Sequence, residues 1–441
     1  MENYKKIIYE LNELPIGYVS EKIISGNKYY YYQENHGSKV SSKYIKKEDK
    51  DALIGQIERR REIEKELKAI EDSIRPLKTP SKRAYALTGD LMMGDVPVAG
   101  FEEGKLLWRD EDKCPLLIKR TGDVASFLRS RAIDRDRAHS RALKRFLGIR
   151  EDDNAFVSLH SYGACITDNY WFRPKGSKIR YEDISFTSDI YSDLALKGDV
   201  SFIPRSPKFT PELTLGGSYE KCWKLIDGRW YLYKKGNDKE IYSEIFCAGF
   251  AKMLGIPSAV YEYADGFIRT ENFASEQNLE PVSSIAGDDD RYENVFDSLL
   301  SLSEDLAKDY LRLVIFDFIV NNVDRHNENC GIMRNNKSGK IISLAPNYDN
   351  NMALLSAASN LVFNEKRDGH LNYLKKFIEG SVKAKELLAK ISLPRLSRDD
   401  IKDLCMSIPL KEDAEAVTSY VYKRYEYIKR YMETIQEREM K

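Results

Sequence analysis

The run Leu311-Arg312-Leu313-Val314-Ile315-Phe316-Asp317-Phe318-Ile319-Val320 limits the choice of fold more than any other stretch. It is too apolar for an exposed helix and too short to span a membrane, so it reads as a buried helix. It runs straight into the polar loop Asn321-Asn322-Val323-Asp324 and the segment Asp324-Arg325-His326-Asn327-Glu328-Asn329. Two short apolar stretches follow, Gly331-Ile332-Met333 and Ile341-Ile342-Ser343-Leu344, around the turn-rich Asn335-Asn336-Lys337-Ser338-Gly339. That composition predicts a hairpin. Ala345-Pro346-Asn347-Tyr348-Asp349 closes the block. A helix, a loop, a hairpin and an acidic residue at its far end would bring Asp324, Asn329 and Asp349 together.

Those three side chains suit one chemistry. An Asp can accept or orient the proton of an attacking hydroxyl, while an Asn and a second Asp offer hard oxygen ligands to magnesium ions that hold nucleotide phosphates. Protein kinases use the same Asp-x4-Asn spacing in the catalytic loop, with a metal-binding Asp after a short hairpin. Taken singly, Asp324 or Asp349 could cap a helix or turn, as many aspartates do. Capping does not require the combined spacing.

Asp-Arg-His-x-x-Asn followed by Leu-Ala-Pro-x-Tyr-Asp resembles the signature of the HipA-like serine/threonine kinases, bacterial proteins of which many are toxins of toxin–antitoxin pairs. The likeness covers residues from about 200 to 400, and more weakly 80 to 200. It implies an α+β, bilobal protein-kinase-like fold, with a mixed small lobe and a mainly helical large lobe. It also implies a catalytic Asp324, magnesium ligands Asn329 and Asp349, and His326 beside them orienting the loop. The cofactors implied are ATP and Mg2+, the substrate is a Ser or Thr hydroxyl of a protein, and a small helix-turn-helix antitoxin is the implied partner.

An amino-terminal lobe can be sought in the same chain. Thr214-Leu215-Gly216-Gly217-Ser218-Tyr219-Glu220-Lys221 begins with two glycines, whose small size lets backbone N–H groups approach phosphate. A plain turn is the simpler reading of a lone Gly-Gly. The stretch resembles the family's Gly-x-x-x-Lys loop, which makes Gly216, Gly217, Ser218 and Lys221 candidate nucleotide-binding residues and Thr214 or Ser218 candidate autophosphorylation sites. Asp227-Gly228 then signals a type I′ hairpin, and Arg229-Trp230-Tyr231-Leu232-Tyr233-Lys234 the returning strand. Alternation places Trp230, Leu232 and Lys234 on one face and Tyr231, Tyr233 and Lys235 on the other. Lys234 ends the strand as a phosphate-holding lysine would, with Lys235 the alternative. In the helical pattern from Glu240 to Leu254 a carboxylate should pair with that lysine; the position of Glu244 relative to Leu254-Gly255-Ile256-Pro257 resembles that of the family's helix Glu, and Glu240 competes one turn earlier. The segment from Ile268 to Phe273 looks like an adenine-binding hinge.

Composition is that of an ordinary globular enzyme. At 441 residues the chain has room for several domains, with 42% apolar and 32% charged residues. Its 70 basic and 70 acidic residues cancel, so no global field favours nucleic acid or membrane. No signal peptide or transmembrane run is evident, and six cysteines without a C-x-x-C pair fit reduced thiols in a cytoplasm. Proline-rich joints near residues 75–80 and 202–211 divide the chain into 1–78, 79–205, 206–275 and 276–441. The first part reads as a hairpin plus a charged helix from about Lys47 to Ile74, with Ile63, Leu67, Ile70 and Ile74 at 4-3-4 spacing. That pattern suits a partner-binding helix or one packed on its own domain. The second part is β-rich, with a single basic helix expected from Val124 to Leu147 whose charged face is either a phosphate contact or internally paired. Two other functions share these features: a nucleotide-binding regulator without catalysis, and a kinase of a small molecule or lipid.

Overall fold

The computed structural model describes residues 7, 10–11, 14–15, 17–24, 27–36, 39–73, 87–135, 137–151, 153–199, 209–354, 361–410 and 412–439. The chain forms two compact units, each assembled from three stretches. One comprises Met1–Tyr85, Leu128–Ser161 and Phe186–Cys222, the other Ala86–Phe127, Tyr162–Ser185 and Trp223–Lys441.

The first unit opens with three antiparallel strands, Tyr18–Ile24, Asn27–His36 and Lys39–Ile45, where the sequence predicts only a hairpin. Tyr31 lies opposite Ser20 on one side and Tyr44 on the other, and the Tyr29 and Tyr31 rings stand 6.3 and 5.9 Å from Tyr44. Helix Lys50–Ser73 follows. Its Ile63 is fully buried with Leu11, Leu143, Val157, Leu194 and Leu213, so at that position the helix packs on its own unit. The side chains of Leu67, Ile70 and Ile74 lie outside the described residues.

The single basic helix expected over 124–147 is instead two, Val124–Arg131 and Ser140–Phe146. Between them the backbone has better partners than a helix offers. The Ile133 N–H donates to the Leu213 carbonyl at 2.8 Å, Arg137 turns inward, and His139 takes a left-handed φ of 66°. Within the basic stretch Arg129 makes a two-pronged contact with Asp153 at 3.1 and 3.2 Å, an internal pairing.

The second unit holds a four-stranded sheet in the order Lys105–Arg109, Val96–Glu102, Gly89–Met93 and Tyr170–Pro174. Another runs in the order Tyr261–Ala264, Phe267–Glu271, Arg229–Lys234 and Lys221–Ile226, the last strand leading in from the first unit. The third, Gln277–Pro281, Gly331–Asn335 and Ile341–Leu344, contains the predicted hairpin with an added outer strand. Buried Arg334 on this sheet donates to Glu280 at 2.6 Å and to the Cys114 carbonyl at 2.9 Å, while Glu280 accepts the Leu116 N–H at 2.6 Å. The early segment 112–116 is thus tied to strands formed far later in the chain.

Around these sheets pack helices Asp238–Met253, Tyr292–Leu300, Glu304–Val320, Gly369–Gly380, Val382–Ala389, Arg398–Ser407 and Ala414–Glu439. As its composition demands, Leu311 to Val320 is buried apart from Arg312. Phe246 and Phe250 stack at 5.7 Å, and Phe250 meets Phe316 at 6.2 Å. On the last helix Val417, Val421, Tyr425, Ile428, Met432 and Ile435 all enter this core, so the stripe is packing rather than a binding face. Each large apolar side chain so buried contributes about 1.5–3 kcal/mol. The six cysteines are free thiols, and among the described residues no helix is long and apolar enough to cross a membrane.

Candidate active site

The lysine strand is positioned by its turn. Asp227 and Gly228 have φ of 49° and 77°, the double positive pattern of a type I′ hairpin, and the return strand Arg229–Lys234 alternates from there. Lys234 points inward, 5% exposed, while Lys235 is exposed. The next helix separates the two candidate carboxylates. Asn237 caps it by accepting from Lys239 and Glu240 N–H groups, and Glu240 reaches back to the Asn237 N–H at 2.8 Å. Glu240 is therefore spent in a capping box. Glu244, one turn on, is 1% exposed and accepts from Lys234 Nζ at 3.0 Å.

Lys234 Nζ also donates to Asp349 Oδ1 at 2.6 Å. The other Glu244 oxygen accepts the Asn350 N–H at 2.7 Å, and the Asp349 N–H donates to the Tyr261 hydroxyl at 3.1 Å. Burial pulls the Lys234 pKa down, but Asp349 and Glu244 outweigh it and hold the ammonium well above its ordinary value. Burial raises Glu244 against the pull of Lys234, with Asp349 adding to the rise. Two carboxylates thus share one ammonium. Asp349 itself sits at a left-handed φ of 57°, a conformation that aspartate tolerates better than most non-glycine residues.

The second half of the site is the loop after helix Glu304–Val320, which ends at Asn321 with φ of 53°. The Asp324 N–H donates to Asn322 Oδ1 at 3.2 Å; Asn329 Nδ2 donates to the Asp324 carbonyl at 3.0 Å, and the His326 N–H to the same carbonyl at 2.9 Å. His326 Nδ1 accepts the Glu328 N–H at 3.2 Å, so this ring nitrogen is engaged in shaping the loop. The Asp324 side chain is half-buried.

Arg325, which sequence reasoning passed over, joins the two halves. Its guanidinium grips both oxygens of fully buried Asp317 at 2.9 Å. It also donates to the carbonyls of Asn329 at 2.6 Å and Tyr348 at 2.8 Å, and to the side-chain oxygens of Asn347 and Asn350 at 2.7 Å each. Burial works against the Arg325 cation, and Asp317 more than restores it. Asn322 Nδ2 adds bonds to Asp317 at 3.1 Å and Asn350 at 3.3 Å. Part of the signal was present in the sequence: a carboxylate inside an apolar helix has to be paired, and Arg325 is the first cation that follows it along the chain.

Lys234, Glu244 and Asp349 are thus in direct contact, Asp324 and Asn329 share a bond, and Arg325 holds their two loops in register. Asn329 and Asp349 are hard oxygen donors of the kind magnesium takes. Gly216, Gly217, Ser218 and Lys221 lie in the first unit. There Gly217 has a φ of 87°, and Lys221 folds back so closely that a Cβ at Gly217 would stand 2.4 Å from its Nζ.

No protein-family model matches the sequence, and no curated protein matches it. The fold is similar to that of HipA of Shewanella oneidensis MR-1, a toxin–antitoxin protein solved with HipB and its operator DNA. The TM-score is 0.51 at 16% identity, over 79% of this chain and 99% of that one. A weaker similarity is to the proinflammatory kinase CtkA of Helicobacter pylori, with a TM-score of 0.40 at 16% identity over 49% of this chain and 93% of that one. The likeness to HipA is one of fold: the expected resemblance is found there, in a mixed α/β architecture with several sheets and many helices.

Proposed function

We propose that this chain is an ATP- and magnesium-dependent kinase that phosphorylates a Ser or Thr hydroxyl of a protein. The observation that carries the reading is buried Lys234 held between Glu244 at 3.0 Å and Asp349 at 2.6 Å. A lysine paired with a helix carboxylate is how kinases orient a cation toward nucleotide phosphates, and an Asp beside it is where they hold metal. The fold resembles that of HipA, and the Asp324 to Asp349 signature resembles that of the HipA-like kinases, which supports the same class. The strands around Lys234 would form a smaller lobe and the helices after residue 276 a larger one, with nucleotide between them.

Each residue then has a task. Asp324 orients or deprotonates the acceptor hydroxyl, with His326 shaping its loop. Lys234, oriented by Glu244, holds phosphate oxygens. Asn329 and Asp349 would hold magnesium, which supplies charge neutralisation on the phosphates when bound. Gly216, Gly217, Ser218 and Lys221 keep the phosphate-contacting role assigned from the sequence. HipA is found with HipB, so a small partner protein acting as antitoxin, in a cytoplasmic pair, is part of the proposal.

The test is transfer of labelled γ-phosphate from Mg-ATP into a cell extract, with the labelled product identified. Wild-type chain is expected to label protein Ser or Thr, and Asp324→Ala to lose about 10²–10⁴-fold in rate. Asp349→Ala is expected to be inactive. Activity surviving both substitutions refutes the assignment, and label in a small molecule or lipid moves the acceptor class.

A further inference from the structure

Between the two helices that replace the expected basic one lies Arg137, 2% exposed. Its guanidinium reaches across the chain to the glycine stretch of the same unit. Nε donates to the Gly217 carbonyl at 2.9 Å, and Nη2 lies 2.5, 2.5 and 2.7 Å from the carbonyls of Leu215, Gly216 and Gly217. Burial lowers its pKa to about 10, with Glu212 and Asp134 opposing, so it remains a cation at neutral pH.

In a planar trans peptide the carbonyl of one residue and the N–H of the next point to opposite sides. Pinning three successive carbonyls on one guanidinium therefore turns the N–H groups of Gly216, Gly217 and Ser218 away from it. Those N–H groups are what a glycine loop offers an anion. A two-glycine segment has more backbone freedom to lose than any other, and that loss would otherwise fall at the moment of binding. The guanidinium fork can hold several carbonyls at fixed angles, which the single ammonium of a lysine cannot.

We propose that Arg137 is the positioning residue of the glycine loop, presetting the three peptide planes through which the loop contacts nucleotide phosphates. The inference rests on the kinase reading above and deepens it. It assigns a role to a residue 80 positions upstream of Gly217 that carries no motif of its own.

Calorimetric titration of the full chain with Mg-ATP, Mg-ADP and adenosine tests it, using wild type, Arg137→Lys and Arg137→Ala, each checked for folding by circular dichroism. Both variants are expected to bind Mg-ATP and Mg-ADP about tenfold or more weakly, the loss of preorganisation falling only on phosphate contacts. Adenosine, which has no phosphate, should bind within about twofold of wild type. If Arg137→Ala does not fold, Arg137→Lys, which keeps the buried charge, carries the comparison. Variants that bind Mg-ATP like wild type, or that lose adenosine in equal measure, overturn the inference alone. A wild-type chain that binds no phosphate-bearing nucleotide overturns the kinase reading and this inference with it.

Discussion

Arg325→Met is the perturbation that best separates holding the fold together from holding the site together. The arginine is paired with an Asp317 that is fully buried, and its removal strands that carboxylate with only the Asn322 amide at 3.1 Å for support. Deleting one member of such a pair costs about 3–5 kcal/mol, against a typical total stability of about 5–15. Urea denaturation should show a loss of that size. A second variant, Arg325→Met with Asp317→Leu, removes both charges. Because an apolar pair of similar volume often replaces a buried ion pair at little cost, it should return to within about 2 kcal/mol of wild type. Phosphoryl transfer should not return with it. The carbonyls of Asn329 and Tyr348 and the amides of Asn347 and Asn350 still lack their common donor. Misplacing catalytic groups by an ångström can cost about 10²-fold in rate. Full recovery of turnover in the double variant would refute the positioning role, and a loss below about 1 kcal/mol in the single variant would refute the buried-pair account.

Lys234→Met should lower the transfer rate by about 10²-fold or more while leaving Glu244 and Asp349 in place; wild-type turnover by a folded variant would remove Lys234 from the mechanism. His370 predicts a pH dependence of stability. Its Nε2 lies 3.0 Å from the Tyr292 hydroxyl, and burial, with Arg424 adding to it, lowers its pKa from 6.5 to about 4. The unfolded chain therefore takes up a proton below about 6.5 that the folded chain refuses until about 4. Stability from this group is complete above the first value and is lost as pH falls toward the second, by about 3 kcal/mol in all and about 2 between pH 7 and pH 5. Urea midpoints for wild type and His370→Gln at those two pH values check this, and an unchanged pH slope in the variant counts against it.

Much of the site was legible because local signals there agree with tertiary need. The Asp227-Gly228 turn, the alternation that hides Lys234 and exposes Lys235, and the apolar helix entering the Asp324 loop are all short-range features. Choosing Glu244 over Glu240 followed from resemblance, and the structure supplies a physical reason in the Asn237 cap that occupies Glu240. What escaped reading was long-range. The basic run from Val124 onward has the composition of one helix, yet a backbone bond from Ile133 to Leu213 and the inward turn of Arg137 break it. No periodicity in 124–147 records a partner 80 residues away. Arg325 was hidden for a different reason: its value lies in six bonds made at once, and a sequence shows only that an arginine is there.

The interleaving of the two units has a consequence for the order in which they can form. During synthesis, the strands Gly89–Met93 and Val96–Glu102 emerge early, but the segment beside them finds its Glu280 and Arg334 anchors only after about two hundred further residues have been made. In the meantime the first unit can close as soon as Leu213 and the carbonyls that follow it leave the ribosome, since all of its stretches end by Cys222. A nascent chain halted far enough beyond residue 222 for that residue to have cleared the ribosome should therefore protect the amino-terminal strands and helix from protease while leaving the segment 112–116 open to cleavage. A growing polypeptide of this design completes its second unit last.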